Sequence, residues 1–196
     1  MHKITDYSTN KMFSDIRCDF KRYSEHCGYH GSLTFWEIIN ILMKSPAFFA
    51  ILVYRFGFWC NYKILHKNNK IIRYPLNFIY YIGLYLSVIL FKIDIDGSSE
   101  IGEGLFLSNN GNIIMGVKKM GKGCTIQHNV TIGLGIENEP PEIGNYLYVG
   151  SNSIIYGKIK IGHNVKLNPS TVLTKNIPGR CEISGNPARI LSRDIV

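Results

Sequence analysis

From residue 93 onward, apolar side chains recur at every sixth position, a period that neither a helix nor a lone strand produces. Ile95, Ile101 and Leu107 form one series, and Ile114, Met120, Ile126 and Ile132 a second. Ile143, Val149, Ile155, Ile161, Leu167 and Leu173 form a third, with breaks only at 108–113 and 133–142. A residue repeating every six positions is buried each time only if the chain turns after each short strand. Three hexapeptides then close a triangular coil of roughly 18 residues, and stacked coils bury the Ile/Val/Leu columns. Gly follows the periodic residue in Ile101-Gly102, Met120-Gly121, Ile143-Gly144 and Ile161-Gly162, where a tight corner favours a residue without Cβ. The expected fold class is mainly β: a parallel β-helix over 93–196, preceded by an α-helical region over 1–92.

That first region reads as helices. Thr34 and Glu37 have the spacing of a capping box ahead of Ile38, Ile39, Ile41 and Leu42. Ser45-Pro46 supplies an N-cap and first turn for a helix to about Leu65, and a third is expected to start near Pro75. Its stretch Leu76–Phe91 has no formal charge but falls short of the roughly 20 residues a membrane span needs, so packing on a neighbour or on a bilayer surface is expected instead. Residues 1–92 hold 12 Lys+Arg against 5 Asp+Glu, whereas 93–196 hold 10 against 9. A basic, aromatic-rich half suits an anionic lipid surface, though a scattered solvated surface reads equally well. No motif for nucleic acid is present.

With 45% hydrophobic residues the chain can bury an ordinary core without staples. Its five cysteines, Cys18, Cys27, Cys60, Cys124 and Cys181, contain no CxxC pair, so no zinc ribbon or disulfide framework is expected and a reducing compartment fits. The start MHKITDYSTN has no apolar run behind its charges, so a secretory signal is not expected. The expected location is the cytoplasm, either free or peripheral on the inner face of the membrane.

The segment Gly121-Lys-Gly-Cys-Thr-Ile-Gln-His-Asn-Val-Thr-Ile-Gly133 and the closing Ser184-Gly-Asn-Pro-Ala-Arg189 resemble the serine acetyltransferase branch of the hexapeptide-repeat acyltransferases. Asp19-Phe-Lys-Arg-Tyr23 and Ser45-Pro46-Ala-Phe-Phe resemble its members from capsule, exopolysaccharide and colanic acid clusters. The resemblance implies a left-handed coil, which periodicity alone does not specify. It also implies acetyl-CoA as donor, no metal, a homotrimer with sites between neighbouring solenoids, and a His that takes the proton of the acceptor hydroxyl.

Serine acetyltransferases place that His in a corner resembling Leu107-Ser108-Asn109-Asn110-Gly111 and pair it with an Asp at the position of Asp94. Here the position is Asn109, and an amide cannot act as a base. Counting two residues past each core position puts Asn109, His128, Ser151 and Pro169 in one expected column, with His128 about one strand spacing, 4.8 Å, from Asn109. His128 is therefore the candidate base, its bland reading being a turn histidine on a solvated corner. Asn109 would orient the acceptor. Asp94 reads equally as an orienting carboxylate and as a coil-start residue. For the donor, the resemblance points to Ser151, Ser170, Lys175, Pro187 and Arg189.

In the loop 134–143 the family's carboxylate-binding Arg-His pair is replaced by Glu139-Pro140. A carboxylate there repels an amino-acid acceptor, whereas Glu139 and Asn138 suit sugar hydroxyls. The expected function is thus acetyl-CoA-dependent O-acetylation of a saccharide, free or lipid-linked, in surface polysaccharide biosynthesis. Serine acetylation in cysteine biosynthesis and a non-catalytic structural role are the alternatives.

Overall fold

The computed structural model describes residues 8–29, 34–66, 70–109, 111–135 and 139–194. Four helices come first: α1 (Thr9–His26), α2 (Phe35–Lys44), α3 (Pro46–His66) and α4 (Lys70–Phe91). The first coil of the solenoid holds β1 (Ile93–Ile95), β2 (Glu100–Ile101) and β3 (Phe106–Leu107), and the second β4 (Ile113–Met115), β5 (Lys119–Met120) and β6 (Thr125–Ile126). The third holds β7 (Val130–Gly133), β8 (Glu142–Ile143) and β9 (Tyr148–Val149), and the fourth β10 (Ile154–Tyr156), β11 (Lys160–Ile161) and β12 (Lys166–Leu167). β13 (Val172–Leu173), β14 (Cys181–Ser184) and β15 (Arg189–Arg193) close the chain.

The strands stack as three parallel faces of a left-handed β-helix, ordered β1-β4-β7-β10-β13, β2-β5-β8-β11 and β3-β6-β9-β12-β14. Three interior columns result: Ile95, Met115, Ile132, Ile155 and Leu173; Ile101, Met120, Ile143, Ile161 and Ile177; and Leu107, Ile126, Val149, Leu167 and Ile183. The period of six thus builds the fold, with one register correction. Ile114 is 56% exposed and Met115 takes its place in the core. The step from Leu107 to Met115 is eight residues and that from Met115 to Met120 is five, so the inward position of this strand lies one residue past the one that counting back six from Met120 gives. The corner glycines serve stacking: a Cβ on Gly144 would lie 2.6 Å from the Gly162 carbonyl of the following coil.

The helices form as expected around Thr34, where the Glu37 carboxylate accepts the Thr34 N–H at 2.7 Å. α4 begins at Lys70 and carries Pro75 in its second turn, so the start expected near Pro75 is corrected. Its apolar window is correspondingly longer, Tyr74–Phe91, long and apolar enough by length and composition to cross a membrane. The apolar period does not signal α1, because its buried face, Met12, Asp15, Asp19 and Tyr23, is mostly polar.

That polar face covers the open edge of the first coil, whose backbone groups have no preceding strand to pair with. The Tyr23 hydroxyl donates to the Leu107 carbonyl (2.7 Å) and accepts from the Leu107 N–H (2.9 Å). Tyr54 treats the Ser99 carbonyl (2.6 Å) and the Ile101 N–H (3.2 Å) in the same way, and Asp19 accepts the Leu105 N–H at 2.8 Å. Burial pushes both phenols far above their ordinary values, so they remain neutral donors. Tyr23→Phe is expected to destabilise the protein by about 1–3 kcal/mol, because it orphans a buried N–H and a buried C=O together. Denaturant unfolding checks this, and a loss indistinguishable from zero would mean that the edge is capped otherwise.

Candidate functional site

His128 stands on the corner between β6 and β7, half-buried, in the turn Gln127-His128-Asn129. The turn is set by Asn129, which adopts φ +57, a left-handed conformation that Asn tolerates better than most residues. One coil on, Asn152 does the same at φ +61, and the two side chains are joined, Asn129 Nδ2 donating to Asn152 Oδ1 at 2.6 Å. The His128 carbonyl accepts the Asn152 N–H (3.2 Å), and the Ser151 carbonyl accepts the Ser170 N–H (2.9 Å). His128, Ser151 and Pro169 therefore succeed one another along this corner.

Asn109 is not in that column. The N–H of Asn129 bonds to the Gly111 carbonyl at 3.1 Å, which makes Gly111 the counterpart of His128 in the preceding coil. The longer corner throws Asn109 outward, where it is exposed and its amide donates to the Lys44 carbonyl at 3.3 Å. Asp94 is also displaced from His128. It faces outward on β1, in register with Ile114 of β4, two ladder steps or about 10 Å along the axis from the strand that follows His128. Within one protomer the expected trio of His128, Asn109 and Asp94 is therefore not brought together.

The remaining candidates scatter according to strand register. Ser151 is half-buried and Ser170 exposed, one coil apart on the His128 corner. Lys175 is exposed after β13, Pro187 lies in the turn between β14 and β15, and exposed Arg189 opens β15 opposite Ser184. Glu139 is bound to Lys158 at 2.9 Å, and Asn138 lies outside the described residues. His163 accepts the Asn145 N–H on Nδ1 at 2.9 Å, which leaves its ring proton on Nε2 and makes it a corner brace. It edges a groove of about 290 Å³ with Lys119, Glu142, Asn145 and Lys160, which the reading of the sequence does not single out. Only the Lys/Glu alternation across β5, β8 and β11 hints at that face.

Cys124 lies in the corner between β5 and β6, its thiol directed at the Gly121 carbonyl at 3.5 Å, and burial pushes it up to about 11. It therefore stays protonated and does not serve as a nucleophile. Among the described residues no group of three or more His, Cys, Asp or Glu could hold a metal ion.

No family model matches the chain. The serine acetyltransferase of Helicobacter pylori strain 26695 is 27% identical over 166 residues, 81% of this chain and 87% of that protein. The serine acetyltransferase of Synechococcus elongatus is 25% identical over 159 residues, 79% of this chain, and the match spans 61% of that relative's length. Among solved structures, a serine acetyltransferase in complex with coenzyme A from Brucella abortus superposes with a TM-score of 0.74 at 21% identity, covering 94% of this chain and 69% of the other. The fold is thus the hexapeptide-repeat β-helix of the serine acetyltransferase type. These relatives overturn the expected saccharide acceptor and the assignment to capsule or colanic acid O-acetylation. The charge argument behind that expectation also fails in the structure. It treats Glu139 as a bare carboxylate, and Lys158 offsets that charge.

Proposed function

We propose that this chain, built on a solenoid of the serine acetyltransferase type, is an acetyl-CoA-dependent O-acetyltransferase with L-serine as acceptor. The observation that carries the reading is the span of the Helicobacter similarity, which runs through helices and solenoid alike over 81% of this chain. His128 is the proposed base. Its imidazole takes the hydroxyl proton as the oxygen attacks the thioester carbonyl, the new C–O bond forms, the C–S bond breaks, and the proton passes to the departing thiolate. Ser151 and Ser170, successive along the same corner, are proposed to meet the pantetheine arm, and Lys175, Pro187 and Arg189, toward the closing hairpin, the rest of the donor.

A homotrimer belongs to the same reading, since outward Ile114, Ile154 and Tyr156 give one solenoid face an apolar surface suited to a second copy. Free cysteines and a thioester donor suit the reducing cytoplasm. Asn109 favours one second reading, a non-catalytic homologue, because it stands where the resemblance calls for the base.

The deciding experiment is thiol release from acetyl-CoA by the full chain, with and without L-serine. Serine-dependent release is expected. If release is the same with and without serine while acetyl-CoA still binds, the acceptor is wrong; if acetyl-CoA does not bind either, the non-catalytic reading stands.

A further inference from the structure

Helix α4 has its polarity inverted. The side turned to the protein is small or polar: Gly83 packs on Val53, and Tyr80 is buried over Gly57. Ser87 is buried with its hydroxyl donating to the Ile93 carbonyl at 2.8 Å. The side turned outward carries Phe78, Ile79, Ile82, Tyr85, Ile89 and Leu90, each between 46% and 67% exposed. Only 11% of the window Tyr74–Phe91 is buried. A contiguous apolar face of this kind marks an interaction surface.

Charge identifies what covers it. No Asp or Glu occurs from residue 38 through residue 93, while Lys70 and Arg73 stand at the start of α4 and exposed Lys92 just past its end. An apolar helix face with Lys70 and Arg73 in its first turn and Lys92 at its end, and no carboxylate along its own length, matches a bilayer that presents acyl chains beneath anionic headgroups. Tyr81 and Tyr85 add rings with a polar tip, the side chains favoured at headgroup depth. A second copy matches less well, because a two-fold contact through this face would bring two helices without a carboxylate of their own together.

The helix is not free to cross. It packs on α3, which buries the charged Arg55, and one residue past its end the chain enters β1 in the solenoid core. We propose that the outward face of α4 docks this protein peripherally on an anionic lipid bilayer, the helix lying in the headgroup plane with exposed Lys92 against lipid phosphates.

The test is co-sedimentation of the full chain with vesicles of phosphatidylcholine, alone or with about one-third phosphatidylglycerol, at low and high salt. Capture on the anionic vesicles should be at least about tenfold stronger than on neutral ones and should fall with salt. Phe78→Glu with Tyr85→Glu should weaken capture at least about tenfold without changing the circular dichroism, since both side chains stand in solvent. If that double variant does not fold, Tyr85→Trp decides in its place: its added emission should shift to the blue on anionic vesicles and be quenched by brominated acyl chains. No capture, equal capture on both vesicles, or added indole emission that brominated chains leave unquenched would overturn the proposal. So would a double variant that binds vesicles normally but assembles into a smaller oligomer, which would assign the face to a second copy. None of these readouts depends on acetyl transfer, so an inactive protein that binds vesicles would refute only the proposed activity.

Discussion

Replacing Arg55 with methionine is expected to lower stability by about 3–5 kcal/mol, the cost of removing one member of a buried ionic cluster. Arg55 is 1% exposed, and its guanidinium spends its donors in four directions. It bonds Asp19 at 2.9 and 3.3 Å, lies 3.6 Å from Asp15, and donates to the carbonyls of Ile101 and Gly102 at 2.6 Å each. Methionine fills much of the volume but leaves the buried Asp19 carboxylate without this counterion, takes one of its cations from Asp15, which also lies 3.5 Å from Lys11, and removes the Arg55 donors from two edge carbonyls. Burial already pushes the Asp19 carboxyl above its ordinary value, with Arg55 pulling it back, so loss of the cation should drive Asp19 to bind a proton. Guanidinium unfolding of Arg55→Met, and of Arg55→Met with Asp19→Asn, checks the account. The second change should recover part of the loss. A single variant within about 1 kcal/mol of wild type would show that the cluster does not hold the helices to the solenoid.

His128→Ala should reduce kcat for serine-dependent thiol release by about 10²- to 10⁴-fold, the range over which a positioned acid–base group acts. KM should change little, because proton transfer contributes in the transition state and not in the ground state. His128→Gln, which keeps a polar side chain on the corner but no base, should be as slow as the alanine variant. The Asn129–Asn152 bond and the backbone ladder hold this turn independently of the imidazole, so both variants should fold normally. Turnover within about threefold of wild type in either variant would remove His128 from the mechanism.

The solenoid was legible because six-residue burial is enforced at every turn by the same three walls, and no other packing uses that period. It failed at one strand. The chain spends extra residues at 108–112 and takes a short step of five from Met115 to Met120, so Met115 turns inward and Ile114 outward, and counting by six cannot see either change because no apolar mark records it. The same bulge removed Asn109 from the His128 column, since register past a longer corner is decided by which carbonyl the Asn129 N–H finds. α1 was invisible for a different reason. Its inner face is Asp15, Asp19 and Tyr23, which looks like a solvated surface until the coil edge that it satisfies is present. The acceptor was misjudged through Glu139 because a carboxylate's effect depends on its partner, and Lys158 is nineteen residues away in the chain.

The sequence by itself determined the repeating unit, the three-sided coil, the capping box at Thr34, the helix start at Pro46 and the change from helix to strand near residue 92, all set by contacts between residues close in the chain. Tertiary structure alone decided how the first coil's edge is closed, which residue stands beside His128, and which side of α4 is left bare. Each of these depends on a backbone hydrogen bond, a buried charge or a packing surface shared between segments far apart in sequence, and no local pattern records such a pairing.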